Sequence, residues 1–358
     1  MSGRPSQPPK SDLFRVRTAT YRPPVELEPN VWRLRVAQPR FAANYVYLLL
    51  GDVPTLIDSG HPDPETQRQL TRGLADIGLR RSDLAQVLYT HTHLDHLGGG
   101  MASWNTPDLV HVEHRLPRSA VEARVDVDFG DYTIRLHEWF AWMNCLPEHP
   151  YLESLRRLRD AGPKGMPWLN IAEGLGRTTG RPLDPGSVVE AGDLRLRVID
   201  VHGHDPHHVA FVEESGRWAV TGDIIVGSPT PLVPPMDDDA LPYRESLDRI
   251  GAEAPARIFP AHGLVFDDGP AAIAATAKTF DGFAESILRN LRRLSGGTKP
   301  TGAPPILQSY MDRNPIFVEA DTALPGVLLG GIHSHLTRLR RLGRVVEPEP
   351  NAFLPAVA

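Results

Sequence analysis

The sequence predicts an α/β protein built as a four-layer αββα sandwich. Three observations carry that prediction. An order of strand, strand, helix, strand occurs twice, and the strands end in polar clusters. Proline, at 35 residues in 358, punctuates the chain too heavily for a helical bundle. No GxGxxG or P-loop pattern follows any strand, so a doubly wound nucleotide fold loses support.

Each element has its own justification. Residues 1–30 are Pro-rich and polar and are expected to form an N-terminal arm or a first edge strand. From Val31 come VWRLRVA, NYVYLLLG and PTLID, short segments rich in β-branched and aromatic residues and bounded by Gly, Pro or Asn, which predict strands. ETQRQLTRGLADIGL (65–79) spaces Leu70, Leu74, Ile77 and Leu79 along one helical face, and AQVLYT (85–90) reads as a buried strand. The second half repeats the order with LRLRVID (194–200), HVAFVEE (208–214), RWAVTGD (217–223), a helix from Pro242 to Gly251, and ARIFPAHG (256–263). Together these define a domain over 31–270, interrupted by a helical insertion at about 115–180 that holds three of the six Trp. Residues 271–346 predict a small helical domain, and 347–358 a tail.

Composition narrows the function. A chain that is 41% hydrophobic and 23% charged buries a core. The single cysteine, Cys145, excludes a disulfide framework and a four-cysteine metal site, and fits a reducing compartment. No apolar run approaches the ~18 residues of a membrane span, and the first residues lack the apolar core of a secretory signal. A cytoplasmic protein with no membrane contact is the expectation. The net charge of −6 argues against coating nucleic acid. Within it, 271–346 holds ten Lys/Arg against five Asp/Glu, a net of +5, which leaves −11 on the remainder.

The strongest signal is THTHLDHLGGG at 90–100, directly after a predicted strand. His91 and His93 alternate at the strand end, so both imidazoles can point the same way. Asp95 and His96 follow as the chain turns into a helix, and three imidazoles with a carboxylate suit Zn²⁺. Three later strand ends supply His204, Asp223 and His262. His91, His93 and His204 are then expected to hold one ion, and Asp95, His96 and His262 a second. Asp223 would bridge them beside a shared hydroxide. Two Zn²⁺ per chain are expected, although Mn²⁺ or Fe²⁺ would accept the same ligands.

In these residues the chain resembles the metallo-β-lactamase superfamily of hydrolases. HxHxDH stands intact as His91-Thr92-His93-Leu94-Asp95-His96, and the acidic residue that closes an earlier strand looks like Asp58 in TLIDSG. Gly203-His204, Thr221-Gly222-Asp223 and His262 resemble the family's later ligand segments, over roughly 31–265. The stretch after Asp223, with PAHGLVFDDGPAAI and the helices SILRNLRRL and GIHSHLTRLRRLGRVV, is similar to a branch holding β-lactamase-like endoribonucleases and natural-product thioesterases, in which a winged-helix tail follows the sandwich. The chain departs from that branch at Asp205 and His207 and in its longer insertion.

The resemblance implies hydrolysis of an acyl thioester or lactone, a small-molecule substrate, with the oligomeric state left open and a homo-oligomer allowed. The alternative is an endoribonuclease that uses the winged-helix tail and its cluster Arg338, Arg340, Arg341 and Arg344. Asp95 and Asp58 are the carboxylates assigned to the catalytic centre, with Asp58 orienting a ligand imidazole. His208 is expected at the mouth of the site. Trp139 and Trp142 would form an apolar cover that contacts substrate, or else belong to a core of the inserted helices.

Overall fold

The structure, a computed structural model, describes residues 20–38, 43–104, 106–123, 180–226, 239–313 and 324–356. Trp139, Trp142 and the helices expected at 137–144 and 151–160 lie outside the described residues.

Strands β1 (Val25–Glu28), β2 (Val31–Val36), β3 (Asn44–Leu49) and β4 (Thr55–Ile57) run antiparallel to their neighbours. β5 (Gln86–Leu88), β6 (Glu113–Pro117) and β7 (Arg181–Leu183) then add parallel strands, completing a seven-stranded sheet in chain order. Helices α1 (Pro64–Asp76) and α2 (Leu94–Ser103) are joined to it by short loops, and α3 (Arg118–Ala123) follows β6. α1 starts where the Asp63 side chain accepts from Glu65 N, with Pro64 in the first turn, two ordinary helix-start devices.

The second sheet has five strands in the order β12-β11-β10-β9-β8, made of β8 (Val188–Ala191), β9 (Leu194–Asp200), β10 (Val209–Glu213), β11 (Trp218–Gly222) and β12 (Arg257–Pro260). Helix α4 (Leu241–Ala252) connects β11 to its parallel neighbour β12. Period-2 alternation sorts the side chains into layers. Along β10, Val209 and Phe211 face the first sheet, whereas Ala210 and Val212 pack with Tyr243, Leu247 and Ile250 of α4. Along β3, Tyr47 and Leu49 enter the inter-sheet core, whereas Val46 and Leu48 face Leu70 and Leu74 of α1 and Leu94 and Leu97 of α2. Helix, sheet, sheet, helix is the architecture expected from the sequence. Tyr47, Phe259 and Trp218 form an aromatic stack in the middle, with centroids 5.6 and 5.2 Å apart.

Several elements differ from the sequence reading. β1 places 25–28 in the first sheet, consistent with the edge-strand option, and β6 and α3 occupy the start of the stretch read as an insertion. At the other end, α5 (Gly269–Ser295) is capped by the Asp268 side chain and is shared between two cores. Its first half packs Ala272, Ile273 and Phe280 against the second sheet. Its second half packs Ile287, Leu288 and Leu291 with α6 (Ala303–Met311), α7 (Leu324–Arg341) and a hairpin of β13 (Val345–Glu349) and β14 (Ala352–Pro355).

Buried His335 of α7 packs on Phe280 and Phe283, with centroids 4.5 and 5.2 Å away. Burial, and then the nearby Arg338 cation, lower its pKa to about 3. A folded-state pKa below the ordinary 6.5 means that stability is complete above pH 6.5 and is lost as pH falls toward 3. At pH 5 the unfolded chain gains about 2 kcal/mol by protonating this residue. His335→Phe, which keeps the stacking shape, is therefore expected to flatten the fall in melting temperature between pH 7.5 and 5. An unchanged slope would show that His335 is not the acid-sensitive group.

Candidate metal centre

One edge of the sandwich collects the ends of β4, β5, β9, β11 and β12. The two sheets are joined there directly. Asn44 at the start of β3 forms a bridge with His262, Tyr45 N donates to Ala261 O at 2.8 Å, and Asn44 Nδ2 donates to Asp95 O at 2.6 Å. Segments 51 and more residues apart are thus fixed on one another before any side chain of the site is considered.

The ligand-type atoms converge in two groups. His91 Nε2 and His204 Nε2 each lie 3.0 Å from His93 Nδ1. Asp95 Oδ2 lies 3.4 Å from His96 Nε2 and 3.3 Å from His262 Nε2. Asp223 stands between the groups. Its Oδ2 is 3.3 Å from His204 Nε2 and 3.5 Å from His262 Nε2, and its Oδ1 is 3.6 Å from His96 Nε2. All seven residues expected from the sequence come together: His91, His93 and His204 form one group, Asp95, His96 and His262 another, and Asp223 joins His91 and His96 in a third that overlaps both.

The backbone explains why each points inward. Gly203 has φ +108°, and a Cβ there would lie 2.3 Å from Tyr243 N, so only glycine lets the β9 end approach α4 and turn His204 into the cluster. Gly222 has φ +50°, and a Cβ would strike the His208 ring at 2.7 Å, so glycine likewise delivers Asp223. Asp95 falls in the first turn of α2, where the helix dipole favours an anion.

Protons on the outer ring nitrogens leave the inner ones free as acceptors. Asp58 is the anchor. Its Oδ1 accepts from Thr90 N, and its Oδ2 accepts from Thr90 Oγ1, both at 2.8 Å, and from His96 Nδ1 at 2.9 Å. Because the Thr90 hydroxyl spends its proton on Asp58, it accepts from His91 Nδ1 at 3.0 Å. His262 Nδ1 donates to Ala43 O at 3.2 Å. In their neutral forms His91, His96 and His262 would therefore each present a bare Nε2 to the site.

Charge makes the same point. Burial favours neutral carboxyls, yet the imidazoles of His96 and His262 hold Asp95 and Asp223 well below the usual carboxylate range. Burial likewise disfavours charge on His96 and His262, but the surrounding aspartates raise His96 well above its ordinary value and His262 to about 10. His91 is pushed the other way by burial and by the four imidazoles around it. Buried anions that draw protons onto poor sites are what a cation would compete for. The fit is direct: His96 Nε2 and Asp223 Oδ1 are buried without a hydrogen-bond partner among the described residues. The 3.0 Å nitrogen spacing is close to the ~3.3 Å that a tetrahedral site with ~2.0 Å bonds sets.

Other candidates fall elsewhere. His208 is fully buried, stacked 4.4 Å from His91, and accepts from Asp223 N at 3.2 Å, so it backs the cluster instead of facing the mouth. His202 pairs with Asp200 at 2.6 Å. His61 Nδ1 accepts from Asp63 N, and His111 and His114 bond Ser82 O and the Tyr89 hydroxyl. Thr90 and Asn44, which the sequence reading passed over, hold ligands from behind. Only the position of Thr90 at the strand end beside the histidines could have marked it. Of the tail arginines, Arg338 pairs with Asp281 at 2.7 Å and lies over Phe280, and Arg340, Arg341 and Arg344 pair with Glu347, Asp239 and Glu285.

An αββα sandwich that presents imidazole and carboxylate ligands at one edge places the protein among the metallohydrolases. Residues 39–262 match the model of the Metallo-beta-lactamase superfamily, and the chain belongs to that superfamily. It is 29% identical over 247 residues to a protein of Bacillus subtilis (strain 168) named probable metallo-hydrolase YqjP, covering 65% of this chain and 72% of that one. It is 28% identical over 122 residues to an atrochrysone carboxyl ACP thioesterase of Emericella nidulans, which covers 34% of this chain and 38% of the relative. A beta-lactamase domain protein from Burkholderia ambifaria shares the fold, with a TM-score of 0.69 at 22% identity over 94% of this chain and 93% of that one. No helix among the described residues is long and apolar enough to cross a membrane.

Proposed function

We propose that the protein is a dinuclear metal-dependent hydrolase that cleaves an acyl thioester or lactone. The observation that carries this reading is that Asp223 stands 3.3, 3.6 and 3.5 Å from His204, His96 and His262, between two three-residue groups of ligand atoms. Bound divalent ions, Zn²⁺ above Mn²⁺ or Fe²⁺, would supply Lewis acidity and lower the pKa of water toward neutrality. His91, His93 and His204 would hold one and Asp95, His96 and His262 the other. Asp223 would serve both sets, and Asp58 and Thr90 hold the imidazoles of His96 and His91 from behind.

Two observations favour an uncharged acyl substrate over a nucleic acid. The chain outside 271–346 carries −11, which repels a phosphate backbone. The arginines 338, 340, 341 and 344 are each occupied by a carboxylate. The thioesterase named among the relatives supports the same class.

The test is a comparison of metal-stripped and Zn²⁺- or Mn²⁺-reloaded protein on hydrophobic acyl thioesters, lactones and single-stranded RNA. Thiol release that vanishes on stripping and returns on reloading is the expected result. Tight, salt-sensitive RNA binding with RNA cleavage and no thiol release would replace this reading with the nuclease one.

A further inference from the structure

The loop after His204 carries a carboxylate that neither the ligand sets nor the proposed chemistry uses. Asp205 is 2% exposed. Its Oδ2 accepts from the Thr92 hydroxyl at 2.6 Å, and its Oδ1 accepts from His207 N at 2.6 Å. The same Oδ2 lies 3.9 Å from His93 Nε2, the ring nitrogen opposite the one that meets His91 and His204. A buried anion is costly unless it serves a charge nearby, and among the described residues no Lys or Arg pairs with it.

The placement repeats that of Asp58. In Thr90-His91-Thr92-His93, each threonine hydroxyl ties down one buried aspartate: Thr90 holds Asp58 behind His91 and His96, and Thr92 holds Asp205 behind His93. The acids come from distant segments, 32 and 113 residues away. Apart from Asp223, which the two sets share, the three-histidine set has no carboxylate among its members, whereas the other set also contains Asp95.

We propose that Asp205 is a positioning residue for His93 and the local countercharge of the three-histidine set, so that it selectively strengthens cation binding there. The inference rests on the dinuclear reading above. At 3.9 Å the carboxylate acts through its charge and its Thr92 tether, not through a direct hydrogen bond to the ring. Favouring the Nε2–H form of His93 leaves the Nδ1 lone pair facing His91 Nε2 and His204 Nε2. A cation drawn to the three imidazoles then meets a fixed negative charge one ring away.

The experiment is Zn²⁺ titration against a competing chelator on the native protein, Asp205→Asn and Thr92→Val, with melting temperatures of the metal-free forms. The expected result is two ions in the native protein. In Asp205→Asn, one site should be unchanged and the other weaker by roughly 10-fold or more, with the metal-free melting temperature preserved. Thr92→Val keeps the carboxylate but frees it, and should weaken the same site by a smaller factor. Unchanged affinity at both sites of Asp205→Asn overturns the inference. So does an equal loss at both sites with a lowered metal-free melting temperature, which would make Asp205 a loop tether. If Asp205→Asn does not fold, Thr92→Val decides, and equal or no weakening of its two sites overturns the inference. A native protein that binds no ion defeats the dinuclear reading itself, a result distinct from any of these.

Discussion

Asp223→Ala is expected to empty both metal sites and to lower hydrolysis by at least about 10³-fold. The reason is geometric. Asp223 reaches His204, His96 and His262, at 3.3, 3.6 and 3.5 Å, so its loss takes a carboxylate from beside both sets at once. Losing a shared ligand forfeits several kcal/mol of charge stabilisation in the reaction, and each ~1.4 kcal/mol is tenfold in rate. The backbone contact to His208 does not involve the side chain, so the loop retains its anchor in the variant. Asp223→Asn separates charge from shape, because it keeps the volume and one oxygen. Elemental analysis of freshly purified protein is the check. Two ions retained at native affinity in Asp223→Ala would remove the bridging role and with it the dinuclear mechanism.

Legibility in the sequence followed the range of the contacts. His91, His93, Asp95 and His96 are local to one strand-to-helix turn, so residue type and spacing were enough to mark them. His204, Asp223 and His262 were legible because each closes a strand that alternation or apolar runs reveal, and a sandwich gathers strand ends at one edge. Thr90, Asn44 and Asp205 act across 32, 51 and 113 residues, and no local pattern announces such partners. His208 looked available because it follows a ligand segment. Only the packing shows it stacked behind His91. Among the strands, β6 carries two charged residues and a histidine in five, and β7 is a three-residue strand with a central proline, tolerable only at a sheet edge. The 347–358 stretch expected as a tail instead completes the β13–β14 hairpin, which accommodates Pro348 with a register shift between Val346 and Glu349.

Asp58 carries the second large effect, and two variants separate its roles. Its carboxylate accepts a hydrogen bond from His96 Nδ1 and another from the Thr90 hydroxyl, which in turn accepts from His91 Nδ1, so one side chain orients a ligand in each set. Asp58→Asn retains an oxygen for Thr90 N but loses the charge, and a loss of about 10- to 100-fold in metal affinity is expected. Asp58→Ala does more. The residue stands at φ +61°, which Asp and Asn tolerate better than Ala, and its removal strands the buried Thr90 amide, a cost of about 1–3 kcal/mol. The Ala variant should therefore lose metal as the Asn variant does, and should also melt several degrees lower in its metal-free form. Chelator titration and metal-free melting curves of the two proteins test both parts. If Asp58→Asn binds metal like the native protein, the acid is a turn-stabilising residue alone, and the tautomers of His91 and His96 are held by some other contact.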